Sequence, residues 1–297
     1  MSIVKGTITA AMLASIYKTN SALFNQAMEI TQVYWPAFAS LAPSTSKTQD
    51  YAWLGAFPML REWLGDRVLQ NLMLHGYSIT NKDYEGTIEI DRNDILDDNI
   101  GVYKSPIQEL GRSSKVHPDY LLAGLLAAGF TTICYDGQYF FDTDHPVGSS
   151  TVSNYGGGAG TAWYLFDTSR FIKPLIYQER QSPQFVAMDS ITDENVFMRK
   201  KYRYGVDYRG NVGYGLWQLA YASKDTLDAT NYAAARSAMM AFKNDNGVPL
   251  GIMPDLLVYP PSLDGNAREI LLAERNQAGA TNVYYNTAKP LCLPWLS

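Results

Sequence analysis

The chain has 297 residues, 46% of them hydrophobic and 18% charged, with a formal net charge of −5. That length is consistent with about two domains and a core that needs no staple, and the composition excludes wholesale disorder. The acidic balance argues against tight nucleic-acid binding, which relies on a basic face and counterion release.

The opening Met1-Ser-Ile-Val-Lys-Gly lacks the charged start and long apolar run of a secretory signal. No stretch reaches the ~18 apolar residues of a membrane span, so folding in a cytoplasm is expected. Ile8, Met12, Ile16, Leu23, Ala27 and Ile30 fit a short helix. Pro36, Pro43 and the Ser/Thr-rich residues that follow break it, which makes residues 1–50 an extended arm. Tyr51 to Phe57 reads as a strand ended by Pro58, and 61–67 as a short amphipathic stretch.

Tyr77 to Thr80 and Tyr84 to Asp91 read as strands. In the second, Tyr84, Ile88 and Ile90 share one face, with Glu85, Thr87, Glu89 and Asp91 on the other. These strands fit a long hairpin with a polar tip. Ser105-Pro-Ile-Gln108 has the form of a capping box with Pro at the first helical position. The helix it opens runs to Gly129, with Pro118 expected to kink or split it.

Phe130 to Phe141 is strand-like around a Tyr135-Asp-Gly-Gln138 turn, and the glycine-rich residues 148–160 read as a flexible surface loop. Trp163 to Asp167, Pro174 to Glu179, Val196 to Tyr204 and Gly213 to Ala222 carry strand character. Tyr232, Ala235, Met239 and Phe242 form a helical stripe, as do Leu263, Ala267, Ile270 and Leu271. Between them lies a short strand, Leu256 to Tyr259. Pro290 to Pro294 fits a final edge strand.

No catalytic constellation stands out. Asp142, Asp144 and His145 offer ligands that suit Zn or Mn, yet Pro146 follows directly, and a turn capped by its own Asp explains them as well. The acidic run 91–101 has Ile95 and Leu96 where a calcium loop needs a ligand and a glycine. Cys134 and Cys292 fit no metal or redox spacing and read as reduced and inert. No cofactor is expected. Two charge blocks remain. Residues 82–98 hold seven acidic groups against two basic, and residues 199–209 five basic against one acidic. They are either solvated strand faces or complementary halves of a subunit contact.

Arg61-Glu-Trp-Leu-Gly-Asp-Arg67, the run His75 to Glu85 and the run Asp91 to Gly101 together resemble consecutive motifs of the Mu-like phage major head subunit. So do Cys134-Tyr-Asp-Gly-Gln-Tyr-Phe-Phe-Asp142 with His145-Pro-Val147, Lys173 to Arg180, Gly213-Tyr-Gly-Leu-Trp217, and Gly251 to Leu263. The likeness is collinear from about Gly55 to the C-terminus. It implies an α+β chain with the tailed-phage (HK97-like) major capsid fold: N-terminal arm, extended hairpin loop, spine helix, peripheral domain and axial domain. Laid on this sequence, that gives an arm at 1–50, a hairpin loop at 51–100, spine helix and peripheral domain at 101–223, and an axial domain at 224–297 in permuted order.

The implied function is self-assembly through hexamers and pentamers into an icosahedral phage head enclosing DNA. The alternatives are an encapsulin-type nanocompartment shell and, more remotely, a metal-dependent hydrolase. The expected subunit-interface residues are Arg61, Glu62, Asp66, Arg67, Asp91, Asp94, Asp97, Asp98, Arg199, Lys200, Lys201 and Arg203. Other copies of the chain are the main partners, with scaffold, portal and decoration proteins as further candidates. Contact with packaged DNA would be weak, no membrane is involved, and the product would be a virion component assembled in a bacterial cytoplasm.

Overall fold

The computed structural model describes residues 8–52, 54, 76–276 and 278–296. In chain order it contains α1 (Ala10–Ile30), β1 (Ala39–Pro43), β2 (Thr48–Asp50), β3 (Ser78–Thr80), β4 (Lys82–Asp91), α2 (Arg92–Leu96) and α3 (Lys104–Ala128). Then come β5 (His145–Val147), β6 (Ser150–Val152), β7 (Tyr155–Gly158), β8 (Trp163–Phe166), β9 (Leu175–Met188), α4 (Glu194–Arg199) and β10 (Lys201–Tyr214). The chain closes with β11 (Ala220–Lys224), α5 (Ala229–Met240), β12 (Leu256–Tyr259), α6 (Asp264–Leu272) and β13 (Lys289–Cys292). Two compact units share these elements. The first is 1–33, 81–118 and 179–211, and the second is 34–80, 119–178 and 212–297.

In the first unit β4 runs antiparallel to β10, in a register that sets Lys201 opposite Asp91 and Arg203 opposite Glu89, and β9 lies on the other side of β10. The alternation expected in β4 is observed, with Ile90 fully buried and Glu85, Thr87 and Glu89 exposed. Its partner β10, however, is more than a hundred residues away in sequence. The core under this sheet joins Leu13, Ile16 and Phe24 of α1 to Ile90, Ile107, Phe185, Tyr202 and Tyr204. Thr9 caps α1 by accepting from the N–H of Met12. The buried face is Leu13, Ile16, Asn20, Phe24 and Ala27; Met12 packs half-buried against the same core, and Ile30 falls off it. A buried Asn interrupts the apolar stripe, which is why the sequence pattern placed the face slightly off.

Helix α3 starts at Lys104, directly after a 3-10 turn at Ile100–Tyr103. Ser105 therefore lies inside the helix and is not its cap. Pro118 also lies inside one continuous helical span, so the split allowed for in the sequence reading does not occur. Val196 and its neighbours, read as strand, begin in α4, and β10 starts only at Lys201.

The second unit holds a five-stranded sheet in the order β13-β12-β8-β11-β7. Every residue of β8 and β12 is buried, as continuous apolar runs in a covered sheet should be. The loop expected at 148–160 is corrected here: Ser150–Val152 pairs with β5, and Tyr155–Gly158 is an edge strand parallel to β11. Glycine is what lets it in. A Cβ on Gly158, whose φ is +91°, would sit 2.3 Å from the Lys224 carbonyl carbon. Phe130 to Phe141 forms a turn with an isolated bridge between Ile133 and Tyr139, and is not a strand. Residues 51, 52 and 54 are not in a strand either. The remainder of that expected strand, and 61–67, lie outside the described residues. Of the stripes expected, α5 buries Tyr232, Ala235 and Met239 and α6 buries Ala267, Ile270 and Leu271, while Phe242 and Leu263 lie just outside the two helices; β13 is an edge strand. Among the described residues no helix is long and apolar enough to cross a membrane.

Candidate functional site

The two charge blocks meet inside the chain. The β4–β10 register brings Lys201 Nζ within 3.1 Å of Asp91 and Arg203 within 2.8 Å of Glu89. Arg209 stands 3.0 Å from Asp83 farther along the same ladder. Asp91 also caps α2, accepting from the N–H of Asn93 at 2.8 Å. That bond first, then Lys201, holds its carboxyl below the usual range. Asp94 accepts from the Tyr103 hydroxyl, which raises the phenol. Asp97, Asp98, Arg199 and Lys200 are exposed and form no ion pair among the described residues. Arg61, Glu62, Asp66 and Arg67 lie outside the described residues.

The charged groups that remain open cluster at one end of the first unit. The backbone N–H of Arg92 donates to the Lys200 carbonyl at 2.9 Å, joining the start of α2 to the end of α4. Asn195 locks α4 down, its Nδ2 donating to the carbonyls of Lys201 and Met188 at 2.6 and 3.3 Å. Lys200 takes a left-handed φ of 56° to turn the chain from α4 into β10. Sequence reasoning missed the apolar residues of this end, Phe197 and Met198. They were assigned to a strand, where alternation would have buried one of them.

A second polar cluster lies buried in the second unit. His145 is fully buried and stacks on Trp217, with ring centroids 4.1 Å apart and planes 11° from parallel. Its Nδ1 is 2.7 Å from Asp136 Oδ2, and its Nε2 is 3.1 Å from Asn154 Oδ1. Asn154 is oriented by its Nδ2, which donates to the Phe140 carbonyl at 2.8 Å. Both ring nitrogens thus lie within hydrogen-bond distance of side-chain oxygens. Cys134 Sγ donates to Asp136 Oδ1 at 3.1 Å. Burial pushes the Asp136 carboxyl up, but the bonds from His145 and Cys134 outweigh it and hold the group below its usual range. Burial drives the Cys134 thiol up, away from the nucleophilic thiolate.

The metal-ligand set raised from the sequence is not assembled. His145 turns to Asp136, while Asp142 accepts from the N–H groups of Thr143 and Tyr139 and so caps its own turn. Cys134, Asp136 and His145 are close enough to hold an ion. Their ligand atoms are already engaged with one another, Cys134 Sγ and His145 Nδ1 each on one oxygen of Asp136.

An open groove of about 550 Å³ runs along β1 between Trp35, Leu41, Tyr51, Phe171 and Ile176. The charged group in its lining is Lys173, whose Nζ donates to the Pro36 carbonyl. It offers apolar surface and no acid–base pair.

Comparison with known proteins gives a consistent answer. Residues 13–296 match the model of the family described as the Mu-like prophage major head subunit gpT. The Mu-like prophage FluMu major head subunit of Haemophilus influenzae is 48% identical over 248 residues, covering 80% of each chain. The major capsid protein of Escherichia phage Mu is 39% identical over 287 residues, 93% of this chain and 94% of that one. Among solved structures, a chain from the procapsid of bacteriophage JBD30 superposes with a TM-score of 0.87 at 45% identity, over 97% of this chain and 100% of that one.

Proposed function

The chain belongs to the Mu-like prophage major head subunit family and is a major capsid protein with the tailed-phage fold; from that footing we propose that its copies assemble through hexamers and pentamers into an icosahedral head that encloses DNA. The observation that carries this is the superposition on a procapsid chain at 45% identity, over 97% of this chain and 100% of that one. The relatives named are phage head subunits, which favours a DNA-filled head over a protein-filled compartment. On this reading the protein performs no reaction. Its contact with packaged DNA is weak, because a chain of net charge −5 repels a polyanion.

Scaffold, portal and decoration proteins are the further partners, and assembly takes place in the host cytoplasm before the shell becomes part of the virion. The proposed division keeps an arm at 1–50, a hairpin loop at 51–100, spine helix and peripheral domain at 101–223, and an axial domain at 224–297. The exposed Asp97, Asp98, Arg199 and Lys200 are the proposed interface charges best placed to reach a neighbour. Asp91, Lys201 and Arg203 reach one only through pairs they already hold.

Negative-stain microscopy of the purified protein tests the reading. Closed, uniform shells with five- and six-fold capsomers are expected. Protein that stays monomeric across a wide concentration range, with and without co-expressed head proteins, would refute it.

A further inference from the structure

The end of the first unit formed by α2 and α4 carries an apolar centre that the fold does not cover. Phe197 is 83% exposed and Met198 68%, with Met188 and Ile191 beside them at about half exposure. A helix as short as α4 turns only one side inward, here Asn195 and Val196, so the two residues that follow must face out. Scattered exposed apolar side chains are ordinary. Four gathered on one hydrogen-bonded tip form a patch of the kind that marks an interaction site. The four stand on one tied-down tip, because Asn195 bonds α4 to the Met188 carbonyl and the Ser190 N–H donates to Asp193 at 2.8 Å across the loop that carries Ile191.

Charge decides what can cover it. Arg199 and Lys200 flank the apolar centre on one side. Asp97 and Asp98 follow α2, which begins at the Arg92 N–H bonded to Lys200. At 1.5 Å per residue, that helix carries them only about 8 Å away. A polyanion or an anionic membrane would need one sign of charge, and this surface holds both. An apolar centre with an acidic flank and a basic flank is complementary to itself.

We infer that this tip is a contact between copies of the chain: Phe197 and Met198 pack against the same tip of another copy, and the acidic flank of one meets the basic flank of the next. The inference rests on the shell reading and names the surface through which part of that assembly runs.

Two variants test it. Phe197→Ser with Met198→Ser changes only exposed side chains, so circular dichroism and the urea midpoint should match wild type. The concentration needed for shell formation should rise at least tenfold. Met198→Cys should give oxidised, copy-to-copy dimers in assembled particles and none in the dissociated protein. Wild type supplies the background from its two native cysteines. Shells from the double-serine chain at wild-type concentration would overturn the inference and leave the capsid function standing, as would particles of Met198→Cys that never crosslink. If the serine variant fails to assemble yet the cysteine variant does not crosslink, the patch serves a different partner and the copy-to-copy contact is wrong. Failure of the wild-type chain itself to form shells would count against the capsid reading instead.

Discussion

Asp119 shows how one side chain can tie pH to stability in this fold. It is fully buried, and its carboxylate accepts from the backbone N–H groups of Tyr34 and Trp35, at 2.6 Å for the latter. Burial pushes its pKa up to about 6, against the two backbone donors that favour the charged form. In an unfolded chain such a carboxyl titrates near 3.9. Between those values the folded chain binds more protons than the unfolded one. The contribution of this group therefore grows as the pH falls from about 6 toward about 4, and is lost as the pH rises through about 6. This is opposite in sign to Asp91 and Asp136, whose carboxyls are held low and whose contributions fade in acid. Asp119→Asn keeps an acceptor for the two N–H groups and removes the titration. The urea midpoint of wild type minus that of the variant should increase between pH 7 and pH 4.5. A difference that stays flat across the series would show that Asp119 does not titrate there.

Helix crossings depend on smaller details. At Gly111 of α3, a Cβ would stand 2.5 Å from the Phe24 carbonyl oxygen and 3.1 Å from the Ala27 Cβ, so α1 packs directly on the α3 backbone. Gly111→Ala should cost about 1–3 kcal/mol through the forced separation. Gly124→Ala, on the same helix with nothing within 4 Å of the new methyl, should be neutral or stabilising by up to ~1 kcal/mol, since glycine is a poor helix former. Chemical denaturation of the pair checks both, and equal losses would remove the packing explanation. The same scale shows what was legible in the sequence. Tyr232, Ala235 and Met239 of α5 lie on one buried face because a 3.6-residue period needs only local information. The inward face of β4 was readable for the same reason, but not its partner, because β10 is brought beside it by the intervening chain. Tyr155–Gly158 was misread because glycine signals a loop in general, whereas here it is the only residue small enough to lie against Lys224. Val196 and Phe197 were misread because β-branched and aromatic residues favour strands, and the Asn195 lock that holds them in α4 depends on the carbonyls of Met188 and Lys201. The charge blocks were visible as blocks. That three charges of each are spent on the other within the chain could not be seen without the register.

For the whole molecule, that internal pairing changes how assembly should respond to salt. The ion pairs of Lys201 with Asp91 and of Arg203 with Glu89 are partly exposed and contribute to the sheet of their own chain. Reversing Lys201 would damage the subunit and would not report on a contact with its neighbours. Arg199 makes no such pair among the described residues and is exposed, so it isolates the contribution between copies. Exposed charges interact over a screening length of about 8 Å at physiological ionic strength and about 3 Å at 1 M. The apolar part of a contact does not weaken in this way. If Arg199 and Lys200 face the acidic flank of a neighbouring copy, the concentration needed for wild-type shell formation should rise several-fold between about 0.05 M and 0.5 M salt, where screening becomes strong. Arg199→Glu should start from the higher value and change little, or even improve, as salt masks its repulsion. Light scattering across a salt series measures both. Identical slopes for the two chains would mean that these charges are solvated and that assembly rests on other surfaces.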